Sequence, residues 1–211
     1  AMLFAILPPL AREIGLADSA IAWIFSLSAL IWVFSSPFWG RQSDRYGRRP
    51  IAALGLYAYA VSMGCFALVA GLALMDAIPL VVAFVGLVLS RAIFGIAGSA
   101  TSPAAQAYVA DRASPAARTE EIAALTATFA IGSALGPPVS GLMATQFGLV
   151  MPVVVTALLA LLAGSLVQRL LPEAPPNAQA RPAAQTNADS WRLFRDPRVS
   201  AYLLYGIGLS S

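Results

Sequence analysis

The sequence predicts an all-α polytopic membrane protein, on three observations. Of its 211 residues, 59% are hydrophobic and only 11% are charged, whereas a soluble domain is about half apolar and a quarter charged. The mean hydropathy is +0.76. Uncharged apolar runs of about 20 residues, the length that crosses hydrocarbon as a helix, recur along the chain with short charged stretches between them. A membrane barrel is disfavoured, because its strands would alternate apolar with polar residues and these runs do not.

Ala1 to Leu10 is apolar and reaches Arg12 and Glu13 almost at once. It lacks the basic start and cleavage site of a signal peptide, so it reads as the end of a first helix, about 1–14, that begins before Ala1. Gly15 to Ser19 follows as a loop, with Asp18 or Ser19 available as a cap. The second span is expected over about 20–39, with Trp32 and Trp39 among its aromatics. Gly40-Arg41-Gln42-Ser43-Asp44-Arg45-Tyr46-Gly47-Arg48-Arg49-Pro50 comes next. With hydrocarbon on both sides, it has to be a tight polar turn at a membrane surface.

The third span covers about 51–75 and closes at Asp76 and Pro79; the fourth, about 80–109, carries Arg91 as its one charge. Asp111 to Glu121 forms a charged loop, 122–145 a fifth span, and 149–171 a sixth after Gln146-Phe147-Gly148. The expected linker runs over 172–198, and from Pro172 to Asn187 it is rich in Pro, Ala, Gln and Asn, the composition of a flexible segment. Within it, Trp191 to Arg195 reads as a short interfacial piece. Residues 199–211 open a seventh apolar run.

All 13 cations are arginines, and net charge is +3. The basic balance does not point to nucleic acid, because the arginines sit in the short loops between spans. Alternation puts Arg41, Arg45, Arg48, Arg49, Arg112, Arg118, Arg169, Arg181, Arg192, Arg195 and Arg198 on one side and only Arg12 on the other. By the positive-inside rule that side is cytoplasmic, with the loops at 41–50, 110–121 and 172–198. Cys65 is alone in an apolar run. It reads as a small core hydrophobe.

Three features stand out as candidate sites. Arg91 lies roughly 18 Å along the fourth helix; a guanidinium there costs at least about 2.5 kcal/mol and should face a partner or a wet cavity. A snorkelling or purely structural arginine is the alternative. Always protonated, it cannot carry a proton itself, but it can hold an anion or lower a carboxylate's pKa. No acid lies within the spans to pair with it.

On the fifth helix Ala124, Thr128, Gly132, Gly136, Ser140 and Ala144 recur every four residues, a small-residue stripe that lets another backbone approach. Gly136-Pro137-Pro138 interrupts the same helix. A close-packed helix pair and a surface on which bundles rock both fit. Third, Asp44, Arg45, Arg48 and Arg49 in one loop can face Asp111, Arg112 and Arg118 in another, as a latch or only as a topology signal. The third and sixth helices, aliphatic and uncharged, are expected to face lipid. Ser99, Ser102, Gln106 and Thr126 are candidates for the wall of a substrate cavity. The sequence has no metal-ligand cluster, phosphate loop or nucleophile–base pair, so neither enzymatic chemistry nor a cofactor is expected.

On these residues the chain resembles the major facilitator superfamily, and most of all its drug:proton antiporters. Gly40, Asp44, Arg45, Gly47, Arg48 and Arg49 match the loop motif G-x-L-a-D-R-x-G-R-[RK], with Gln42 at the usual leucine. Leu87, Arg91 and Gly95 match the fourth-helix motif, with Phe94 at the usual glutamine and Ala97 at a glycine. Gly132, Gly136, Pro137 and Gly141 match the antiporter motif of the fifth helix, with Ser140 at a glycine. Ala107-Tyr108-Val109-Ala110-Asp111 followed by Arg118 is similar to tetracycline-type exporters.

The resemblance implies the six-helix N-terminal bundle of a twelve-helix fold, its first helix truncated, working with a second six-helix bundle by alternating access. It implies a cytoplasmic latch of Asp44, Arg45 and Arg49 with Asp111 and Arg118. It also implies proton coupling, with Arg91 as the intramembrane charge, in a multi-pass protein of the bacterial inner membrane. The leading expectation is export of small hydrophobic compounds. An importer of a sugar or organic anion, and a non-transporting receptor or structural protein, are the alternatives.

Overall fold

The computed structural model describes residues 2–114 and 116–172. The expected linker from residue 173 onward and the seventh apolar run at 199–211 lie outside the described residues. Among the described residues seven α-helices follow one another: α1 (Met2–Glu13), α2 (Asp18–Tyr46), α3 (Arg48–Leu74), α4 (Leu80–Ile96), α5 (Thr101–Arg112), α6 (Arg118–Phe147) and α7 (Met151–Leu170). A 3-10 turn, Gly98–Ala100, joins α4 to α5, and no strand occurs among the described residues. Helices α2, α3, α6 and α7, and α4 together with α5, are each long and apolar enough to cross a membrane. This is a multi-pass membrane protein.

Three expectations change. The polar turn at 40–50 is almost entirely helical: α2 runs on to Tyr46 and α3 begins at Arg48, with only Gly47 between them. Gly47 takes φ +99°, a region open to glycine at no steric cost, so one residue reverses the chain. The fourth helix, expected unbroken over 80–109, is divided at 97–100. Third, α3 is not a peripheral lipid-facing helix but the centre of the bundle, packed against α2, α4, α5 and α7. Its buried face is Ala52, Ala53, Gly55, Ala60, Ala67, Ala70 and Ala73 with Met63 and Phe66. Small side chains let four neighbours approach, which uniform apolarity alone does not reveal.

Two apolar clusters hold the bundle. Leu3, Ile6, Leu7, Leu10, Ile24, Met63, Phe66, Leu87 and Val153 join α1, α2, α3, α4 and α7 in one half. Phe4 of α1 stacks on Phe25 of α2 with ring centroids 4.2 Å apart. Nearer the arginine-rich end, Ile51, Ala52, Ala100 and Ala104 form the second cluster, flanked by Trp39 and Val167. Between the clusters lies a layer containing buried Ser28, Ser62, Ser90 and Arg91.

Two glycines set the spacing around α4 and α5. A Cβ at Gly55 would sit 2.6 Å from the Thr101 backbone nitrogen, and one at Gly95 would sit 2.9 Å from the Ser28 carbonyl oxygen. Both obstacles are backbone and cannot rotate away. Gly55→Ala is therefore expected to destabilise the bundle by about 1–3 kcal/mol, read as an earlier unfolding midpoint in detergent; an unchanged midpoint would show that α3 and α5 can separate freely.

Candidate functional site

The ends of α2, α5 and α7 and the start of α3 meet at the arginine-rich end. Asp44 lies in the last turn of α2 and Arg48 and Arg49 in the first turn of α3. Each sign is the wrong one for its helix dipole, which favours cations at C-termini and anions at N-termini. Capping does not explain these charges, but mutual pairing does. Arg48 Nη1 bridges to Asp44 across the Gly47 turn, and Arg48 Nε binds Asp111 Oδ2 of α5 at 3.0 Å. Arg48 Nη1 also donates to Ser43 Oγ at 2.7 Å, and Ser43 in turn donates to the Gly40 carbonyl at 2.7 Å. One guanidinium thus ties three helices.

The remaining expected latch residues separate. Arg45 is exposed, 5.9 Å from the Tyr46 ring centroid. Arg49 Nη1 donates to the Leu171 carbonyl at 3.2 Å, just past α7. Arg118 opens α6 and is in no ion pair among the described residues. Within this bundle it is Arg48, not Arg45 or Arg49, that reaches Asp111.

Sequence reasoning singled out Tyr108 and Arg112 but not the contact they share. Tyr108 Oη and Arg112 Nη2 both donate to the Pro172 carbonyl at 3.1 Å, and Arg112 lies 4.8 Å from the Tyr108 ring centroid. Their four-residue spacing on α5 puts them on one face, a signal that was readable. Their backbone target was not.

The second constellation surrounds Arg91, which is 8% exposed. Its guanidinium carbon lies 4.4 Å from the Phe94 ring centroid. That ring also touches Trp32 of α2 at 4.9 Å and Tyr59 of α3 at 5.1 Å, centroid to centroid. A ring face attracts a desolvated cation by about 2 kcal/mol, so the Phe94 ring replaces part of the missing water. Arg91 Nε is buried with no hydrogen-bond partner among the described residues. Every acid among the described residues stands near a helix end: Glu13, Asp18, Asp44, Asp76, Asp111, Glu120 and Glu121. None pairs with Arg91.

Serines fix the helix that carries Arg91. Ser28 of α2 donates to the Arg91 carbonyl at 3.1 Å, and Ser62 of α3 to the Ser90 carbonyl at 2.6 Å. Adjacent carbonyls of α4 are thereby held from two sides.

The four cavity candidates do not converge. Ser99 is buried and donates to the Ile96 carbonyl at 3.0 Å. Gln106 is exposed and donates to Ser102 Oγ at 3.1 Å. Thr126 is exposed and donates to its own helix at Ile122. An apolar groove of about 510 Å³ lies between α3 and α7, lined by Ala60, Gly64, Ala67, Val154, Ala157 and their neighbours.

The fifth-helix motif behaves in two parts. α6 remains helical through Pro137 and Pro138. Gly136 and Ser140 are buried, and Ser140 Oγ lies 3.5 Å from the Met2 carbonyl of α1. Gly132 and Gly141 face open space.

The fold and this site define a polytopic helical bundle with a buried cation at mid-span and an ion-paired charge cluster at one end. The Major Facilitator Superfamily matches over residues 1–211, and the chain belongs to it. Multidrug resistance protein 1 of Bacillus subtilis (strain 168) is 24% identical over 203 residues, 96% of this chain and 49% of the relative. Multidrug resistance protein 2 of the same strain is 26% identical over 77% of this chain and 37% of its own length. Quinolone resistance protein NorA of Staphylococcus aureus (strain Mu50 / ATCC 700699) is 27% identical over 68% of this chain and 34% of its own length. The chain spans less than half the length of these relatives.

The Arg48 cluster makes a graded prediction. Side-chain exposure is 18% for Arg48, 31% for Asp111 and 54% for Asp44, and solvent screening weakens the more exposed pair. Double-mutant cycles with Arg48→Gln are expected to give the larger coupling with Asp111→Asn, about 1 kcal/mol, and a smaller one with Asp44→Asn. Equal couplings, or none with Asp111, would contradict the geometry.

Proposed function

We propose that this chain is the first bundle of a secondary active transporter that exports small, hydrophobic compounds by alternating access, driven by proton entry. Membership of the Major Facilitator Superfamily carries the reading, and similarity to multidrug and quinolone resistance proteins gives its direction. The protein sits in the cell membrane with its arginine-rich end in the cytoplasm, works with a second six-helix bundle, and does no enzymatic chemistry. The Arg48 cluster is half of a conformational latch. It loosens when the bundles rock, because ion pairs open at little cost where water reaches them.

Arg91 supplies the intramembrane charge. With its Nε lacking a protein partner, it attracts an anionic group to mid-span, either a titrating carboxylate of the same transporter or the substrate itself. The second possibility favours an importer of an organic anion on the same fold, and that unpartnered nitrogen is the observation behind it.

The full-length gene product in energised vesicles separates the two. Extrusion of a lipophilic fluorescent compound that stops when the proton gradient is collapsed is the expected result. Uptake of an organic anion with no extrusion of lipophilic compounds would replace it with the importer. In the same assay Asp44→Asn is expected to reduce transport severalfold at unchanged membrane level. Wild-type transport by that variant would leave the charge cluster as a topology signal alone.

A further inference from the structure

The break between α4 and α5 has a hydrogen-bond arrangement of its own. In an uninterrupted α-helix the Ala100 amide would bond the Ile96 carbonyl. Here it donates to Ala97 O at 3.1 Å, and the Thr101 amide donates to Gly98 O. The Ile96 carbonyl is left without its helical donor, and an unsatisfied backbone oxygen in a membrane-spanning helix is costly. Two side chains take it up. Trp39 Nε1 of α2 donates to it at 2.6 Å, and Ser99 Oγ at 3.0 Å. The break is also seated sterically, with Gly55 of α3 against Thr101 and Gly98 beneath the Phe94 ring, where a Cβ would come within 2.5 Å of that ring.

We propose that residues 97–100 are a two-state hinge and that Trp39 is the positioning residue that selects its broken state. In the other state the Ala100 amide returns to Ile96 O, the helix runs straight, and Trp39 is released. Three residues passing from 3-10 to α geometry turn everything beyond them by about 60° and shorten the helix by about 1.5 Å. Everything beyond them is α5, with Asp111 at its far end. A 60° turn carries Asp111 off the face that meets Arg48.

Trp39 directly precedes Gly40, so one stretch of α2 governs α5 twice: through the Ile96 carbonyl and, past Gly47, through the Arg48–Asp111 pair. The hinge and the ion pair are therefore coupled, and both respond to the same movement of α2. The hinge stands on this geometry alone; its use in opening the arginine-rich end rests on the transport reading.

The test uses the full-length protein in lipid nanodiscs on a Cys65→Ser background, with spin labels at exposed Gln106→Cys on α5 and Leu158→Cys on α7. Trp39→Phe keeps the ring and removes only the N–H; Ser99→Ala removes the other donor. Each single variant leaves one donor, so each is expected to fold and to show a minor second distance. The W39F/S99A double variant should shift the main distance by several ångström, increasing the ratio of straight to broken forms by more than the product of the single effects. A folded double variant with the wild-type distance overturns the proposal. If the double variant does not fold, an unchanged distribution in W39F alone overturns it as well. A shifted distance in the double variant, with no export by the wild-type protein in vesicles, would leave the hinge standing and sink the transport reading; unshifted distances with export by the wild-type protein would do the reverse.

Discussion

A polar group inside hydrocarbon has to find its partner within the protein, because no water is there to supply one. That constraint decides where almost every polar side chain of the bundle points. Ser28 and Ser62 reach carbonyls of α4 from opposite sides, and Trp39 and Ser99 share the carbonyl left over by the helix break. Arg91, which pairs with no acid among the described residues, is accommodated by the Phe94 ring, which is itself in contact with Trp32 and Tyr59. These contacts lie between the two apolar clusters. Mid-span polarity therefore fixes how α2, α3 and α4 sit together, while the clusters above and below supply the burial.

The arginine-rich end obeys the opposite rule, since water competes there and each ion pair contributes little. Its organisation comes from convergence: Arg48 meets residues of α2 and α5, and Arg49, Tyr108 and Arg112 catch the two carbonyls that follow α7. Weak contacts gathered from four helices can be broken one at a time, as a single strong buried pair cannot.

That the chain is a bundle of membrane helices was legible in the sequence, because hydrocarbon demands long uncharged runs and few other patterns meet that demand. Arg91 was legible as an anomaly for the same reason. The role of α3 was not. An aliphatic helix looks alike to lipid and to protein, and only the density of Ala and Gly between Ala52 and Ala73 marks it as central. The break at 97–100 was hidden because Gly98 and Ser99 are tolerated in membrane helices. What marks it is the Ile96 carbonyl and its donor 57 positions away in the chain, which no local pattern reports. The charges at 44–49 were legible as a cluster, but their pairing was not: Arg45, Arg48 and Arg49 are close in sequence and alike, and the Gly47 reversal decides which one faces Asp111.

The claim on which the functional account turns is that Arg91 is kept for its charge and not for its bulk. Transport by the full-length gene product carrying Arg91→Gln or Arg91→Lys, at matched membrane levels, tests that directly. The account predicts loss of export with glutamine and partial retention with lysine, which keeps a cation beside the Phe94 ring. Export at the wild-type rate by Arg91→Gln would contradict it.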